Sequence, residues 1–170
     1  CENTLFISSS IIQDSFSDQI QINPVFKFSS APRTKEDQQG FGTLIEIPAG
    51  PFLMGTNQDS VKDLINQFEG YSPKIFNNEL PQHVVELPTY WIAKTPVTLK
   101  QFQTFVKETS YRWDSGKTVQ QNKNHPVIHV NWMDVTRYCD WLTKKWRSSR
   151  MINYSEVVRL PSEAEWEKAA

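Results

Sequence analysis

A chain of 170 residues is long enough to bury a real core, and 38% hydrophobic against 22% charged residues is the balance of a globular protein. Its 18 Lys+Arg nearly cancel 19 Asp+Glu, leaving a formal charge of −1 and none of the basic excess of a nucleic-acid or membrane-surface binder. No apolar run reaches the ~18–20 residues that span a bilayer, and ten Phe with six Trp exclude a disordered tail.

In chain order, residues 1–40 alternate short apolar pieces (Leu5 to Ile7, Ile20 to Ile22, Val25 to Phe28) with Ser, Asp and Gln. The piece "QIQINPVFKF" suits an edge strand, because Pro24 cannot donate to a ladder on both sides. The polar "SSAPRTKEDQQG" marks a boundary, so 1–40 read as an N-terminal arm or linker and 41–170 as the folded part. "GTLIEIPAGPFLMGT" holds two apolar runs around Pro48, Gly50 and Pro51, which predicts a hairpin. In "SVKDLINQFEG", Val61, Leu64, Ile65 and Phe68 share a helical face behind a Ser60/Asp63 cap, with Gly70 as the stop. Val84, Val85, Leu87 and then Tyr90 to Ile92 read as strands.

Thr98 with Gln101 three residues on has capping-box form, followed by an apolar stripe of Leu99, Phe102, Phe105 and Val106. "SYRWDSGKTVQQNKN" is a surface loop. Val127 to Val130 reads as a short strand feeding a helix capped by Asn131 with Asp134, whose face carries Trp132, Val135, Cys139 and Leu142. Leu160, biased toward extended backbone by Pro161, leads to a third box, Ser162 with Glu165. Only residues 163–170 follow that cap, and isolated helices below roughly 12–15 residues are marginal in water. The expectation is a chain cut inside an element, with the rest of its domain beyond Ala170 or in a second chain.

Chemistry is sparse. His125 and His129 have the i, i+4 spacing of two ligands on a helix, but Pro126 between them and the β-rich context send them to different places. His83 has no Cys or carboxylate at ligand spacing. "AGPFLMGT" lacks the Lys-Ser/Thr of a phosphate loop. Cys139 lies on an apolar helix face, where a thiol behaves as a small inert hydrophobe. Asp134, Asp140, Glu163, Glu165 and Glu167 sit near helix starts, where the dipole favours them without catalysis. Two cysteines form no disulfide framework and point to a reducing, cytoplasmic compartment; an acylated Cys1 would instead place the protein on a membrane surface as a lipoprotein.

Four blocks in order, "IPAGPFLMGT", "ELPQHVVELPTYWIAKTPVTLKQFQTFV", "HPVIHVNWMDVTRYCDWL" and "VRLPSEAEWEKAA", resemble the formylglycine-generating-enzyme or sulfatase-modifying-factor family over Phe41 to Ala170. The resemblance implies an α+β domain, a C-type lectin-like variant with little regular structure, of which this chain is the N-terminal half. Pro96, Val97 and Thr98, Asn131 and Trp132, and Leu160, Pro161, Ser162, Glu163, Glu165 and Trp166 match motifs whose implied role is architectural: caps, turns and buried Trp. The family's ligand face and the copper-binding cysteine pair of its oxidases belong to the other half. Neither Cys1 nor Cys139 matches a catalytic position, so no catalytic, cofactor or metal residue is expected in this chain; copper or calcium would belong to the complete domain.

The resemblance leaves three functions. One is a non-catalytic protein- or ligand-binding module, of the kind fused to bacterial signalling proteins or diversified by retroelements. The second is a copper-dependent oxidase converting a sulfatase cysteine to formylglycine. The third is an iron sulfoxide synthase, which needs a histidine cluster that residues 1–40 do not supply. Scarce cysteines and plain histidines favour the binding module, with the remaining half of the domain and an unidentified protein or small molecule as partners.

Overall fold

The computed structural model describes residues 6–9, 32–61, 79–114 and 122–170, the first of these as backbone only. They form two compact units, residues 1–47 with 90–160 and residues 48–89 with 161–170.

The first unit is built on a five-stranded sheet. β1 (Phe6–Ser9), β2 (Thr34–Glu36), β3 (Thr43–Ile47), β6 (Tyr90–Ala93) and β7 (Glu156–Arg159) lie in the order β2-β3-β6-β1-β7. Every neighbouring pair is antiparallel. Ile45 faces Thr34 on one side and Ile92 on the other, and Ile7 lies between Trp91 and Val158. The register places buried Leu44 and Val158 on one face and buried Tyr90 and Ile92 on the other, so both faces of the sheet carry buried side chains.

Two helices complete this unit. α1 (Leu99–Thr109) starts at Thr98, whose hydroxyl accepts from Gln101 N while the Gln101 side chain accepts from Thr98 N. α2 (Trp132–Ser148) starts at Asn131, with Asp134 closing the same reciprocal box at 3.0 and 2.8 Å. Each box satisfies two of the N–H groups that a helix start leaves without partners. Phe102 and Phe105 of α1 meet Tyr138 of α2, with Phe102 stacked on Tyr138 at 5.5 Å and Phe105 edge-on to it at 5.6 Å. Trp113 closes on Phe102 at 5.1 Å. Offset and edge-on rings each add about 0.5–1.5 kcal/mol beyond their buried area. Thr143 ties α2 to β7: its hydroxyl accepts from Val158 N at 2.9 Å in a buried setting.

The second unit pairs β4 (Gly50–Met54) with β5 (His83–Leu87), Phe52 opposite Val85. Its helix α3 (Glu163–Ala169) is capped by Ser162, whose N–H reaches Glu165 Oε2 at 2.7 Å. Lys168 Nζ then donates to the Pro48 and Gly50 carbonyls at 2.9 and 2.7 Å, and Glu167 Oε1 accepts from Gly55 N at 2.6 Å. These ties hold a helix too short to stand on propensity alone.

Several sequence expectations change. The runs around Pro48 do not form a hairpin: β3 has both edges occupied by β2 and β6, so β4 pairs with β5 in a separate sheet. Val127 to Val130 is not a strand. His129 takes the left-handed backbone (φ 57°), Val127 N–H is spent on Val97 O, and only a Thr98–Pro126 bridge forms. The helix expected behind Ser60 starts earlier, with helical residues 58–61 and the Asn57 side chain accepting from Ser60 N at 2.7 Å. Leu64, Ile65, Phe68, the "QIQINPVFKF" strand and Cys1 lie outside the described residues. Of the N-terminal segment, β1 and β2 are strands of the five-stranded sheet.

Candidate functional site

The motif residues sit at element starts. Val97 is buried, and its carbonyl holds the 126–127 segment while Thr98 caps α1. Asn131 and Ser162 cap α2 and α3, and Glu165 is buried by its box. Leu160 packs on the core of the first unit. The two tryptophans differ from the expectation of burial: Trp132 is 67% exposed and Trp166 39%. The reason at Trp132 is position, since it occupies the first helical residue and the buried stripe of α2 begins only at Asp134 and Val135.

The titratable groups are placed for packing. Cys139 is buried between Tyr138 and Leu142, and burial pushes its thiol up to about 12. The Tyr138 phenol is likewise pushed well above its ordinary range by burial. Asp134 serves twice: Oδ2 accepts from Asn131 N, and Oδ1 accepts from the Tyr111 hydroxyl at 2.8 Å, a bond that raises the Tyr111 phenol. His83 Nδ1 lies 2.9 Å from Pro81 O. Among the described residues, no three of His, Cys, Asp and Glu stand together as a metal site would need.

One constellation carried no sequence signal. Glu108 at the end of α1 accepts from Lys145 Nζ at 2.8 and 3.0 Å and from Trp141 Nε1 at 3.2 Å, while the Lys145 ammonium sits 5.2 Å from the Trp141 ring centre. The Lys145 bond holds the Glu108 carboxyl below its ordinary range. The stabilisation from this pair is therefore present above the unfolded carboxyl value and is lost as pH falls through the folded one. Trp141 and Lys145 stand one turn apart on α2, but Glu108 lies 33 and 37 residues away on α1, so periodicity cannot join it to them.

A Sulfatase-modifying factor enzyme 1-like domain model matches residues 28–170. The chain is 27% identical over 158 residues to hercynine oxygenase of Mycolicibacterium smegmatis, covering 75% of this chain and 31% of that protein. It is 26% identical to the formylglycine-generating enzyme of Thermomonospora curvata, covering 86% and 54%, and 24% identical to the inactive C-alpha-formylglycine-generating enzyme 2 of Bos taurus, covering 75% and 48%. It therefore spans about a third to a half of the length of these relatives. PvdO from Pseudomonas aeruginosa shares the fold, with a TM-score of 0.54 at 24% identity over 69% of this chain and 46% of that one. The mixed sheet-and-helix architecture, with short strands, few helices and capped helix starts, agrees with that match, and the chain belongs to the family of sulfatase-modifying factor enzyme 1-like domains.

Proposed function

We propose that this chain is the scaffold portion of a non-catalytic protein- or ligand-binding module of the family, of the retroelement-diversified or signalling-associated kind. The alternative is a copper-dependent oxidase that converts a sulfatase cysteine to formylglycine. The match to an inactive member of the family supports the reading. Cys139, buried in the core with its thiol raised to about 12, supplies a nucleophile to neither reading, because the cysteine pair of such an oxidase would belong to the other half of the domain. With Cys1 replaced by Ser, Cys139 is expected to react with a water-soluble disulfide reagent at pH 8 far more slowly than a free thiol, because it is buried and its thiol is raised. The decisive assay supplies copper and a cysteine-containing sulfatase peptide to the full polypeptide that carries these residues. Mass spectrometry should find the peptide unchanged, and a peptide aldehyde would establish the oxidase instead.

The partner proposed for the scaffold is the other half of the same domain type, which the partial coverage of the relatives favours. Its proposed seat is the start of α2 and the segment before it, where Ile128, Trp132 and Met133 are each exposed. In this chain alone, replacing Trp132 and Met133 by Ser should change stability by under about 0.5 kcal/mol, as exposed positions do. In the full polypeptide the same pair should cost about 2–5 kcal/mol, the loss expected of large buried side chains. Equal, small losses in both proteins would show that this face stays in water, and a loss confined to a concentration-dependent oligomer would assign it to a second copy.

A further inference from the structure

The end of α1, the last turns of α2 and the turn before β3 enclose an open groove of about 450 Å³, lined by Gln39, Glu108, Trp141, Lys144, Lys145 and the Ser148–Ser149 pair. The volume falls in the ~300–1,000 Å³ range of small-molecule sites. All of its lining belongs to the first unit, and it involves neither the proposed partner face nor Cys139.

We propose that this groove binds a neutral, hydroxyl-rich small molecule of saccharide class, an inference independent of the function proposed above. Charge decides against the other classes. A phosphate or carboxylate would find Lys144 as the one lining ammonium outside the Glu108 pair, and would otherwise face the carbonyl end of α2, which carries partial negative charge, and the lone pairs of the Ser148 and Ser149 hydroxyls, whose protons go to backbone carbonyls. A cation would meet the ammonium groups of Lys144 and Lys145. A wholly apolar ligand would strip water from both ammonium groups without replacing its hydrogen bonds.

What remains is a ligand that donates and accepts at several points without net charge. Glu108 already holds Lys145 in a fixed, bidentate pose, so carboxylate and ammonium form one neutral, preorganised pair that can grip adjacent hydroxyls from both sides. Ser148 and Ser149 donate their hydroxyl protons to the Lys144 and Trp146 carbonyls, which leaves oxygen lone pairs as acceptors. Lys144 has its donors exposed at the rim. Trp141, held edge-on by Phe41 at 5.2 Å and by its own bond to Glu108, supplies the rigid apolar part of the wall beside the Lys145 ammonium, which sits 5.2 Å from its ring centre.

The test is amide-resolved NMR on the full polypeptide that carries these residues, titrated separately with cellobiose, maltose, lactose and sodium phosphate. The expected result is a saturable shift with at least one disaccharide, confined to Gln39 and to the amides from Trp141 to Ser149, and no such shift with phosphate. Lys144→Ala, at an exposed position that leaves the fold intact, should weaken that binding about tenfold, the worth of one hydrogen bond to a charged group. Lys107→Ala, on the same helix as Glu108 but outside the groove, should leave it unchanged. Absence of any saturable disaccharide shift, saturation by phosphate at the same amides, or an unaltered affinity in Lys144→Ala would each overturn the assignment.

Discussion

Replacing Phe102 by alanine is expected to cost about 3–5 kcal/mol, the upper range for a buried aromatic. The ring is 1% exposed and touches Phe105, Trp113 and Tyr138, so three aromatic side chains lose their common centre. The surroundings also lack slack with which to refill the space. A small void already borders Phe102, walled by Val97, Val127, Val135 and Tyr138, and truncation would enlarge it. Against a typical total of ~5–15 kcal/mol, such a loss brings a domain close to unfolding. Urea denaturation followed by tryptophan fluorescence measures it directly. A loss below about 1 kcal/mol, the centre of ordinary point mutations, would mean that this aromatic cluster is not the core.

The second large effect is expected at Gly55. Its φ of 82° lies in the left-handed region, and an added Cβ would run into the backbone carbonyl oxygen of Glu79. That carbonyl is not free to retreat, because it accepts from Thr56 N at 2.7 Å, while Gly55 N is itself held by Glu167. Gly55→Ala should cost about 2–4 kcal/mol, of which the backbone accounts for roughly 1–2. Gly40 provides the control, since it has nearly the same φ, 81°, with nothing near its Cβ position. Gly40→Ala should show the backbone contribution alone. If the two substitutions cost the same, the Glu79 contact carries no energy.

What the sequence reveals about this protein divides by distance along the chain. The boxes at Thr98, Asn131 and Ser162 are legible because each joins residues three apart, and the burial of Cys139 is legible because helical spacing names its neighbours. Spacing says which face of a helix is apolar but not where the core stops, so it places Trp132 on the buried stripe although that stripe starts two residues later. Sheet order lies further out of reach. Nothing local to Pro48 and Gly50 reports that both edges of β3 are already filled. The left-handed turn at His129 also goes unannounced, because a β-branched run gives no warning of one exceptional residue. The Glu108–Trp141–Lys145 cluster is the extreme case, formed only when two helices meet side by side.

The position of β1 has a consequence for how the polypeptide is made. Its two hydrogen-bonding neighbours are supplied by residues around Trp91 and Val158, long after Ile7 has left the ribosome. β1 therefore has no ladder partner until β6 has been made, and it keeps one edge open until β7 follows. Until then that edge is open, and a chaperone or another copy could add a strand in place of β7.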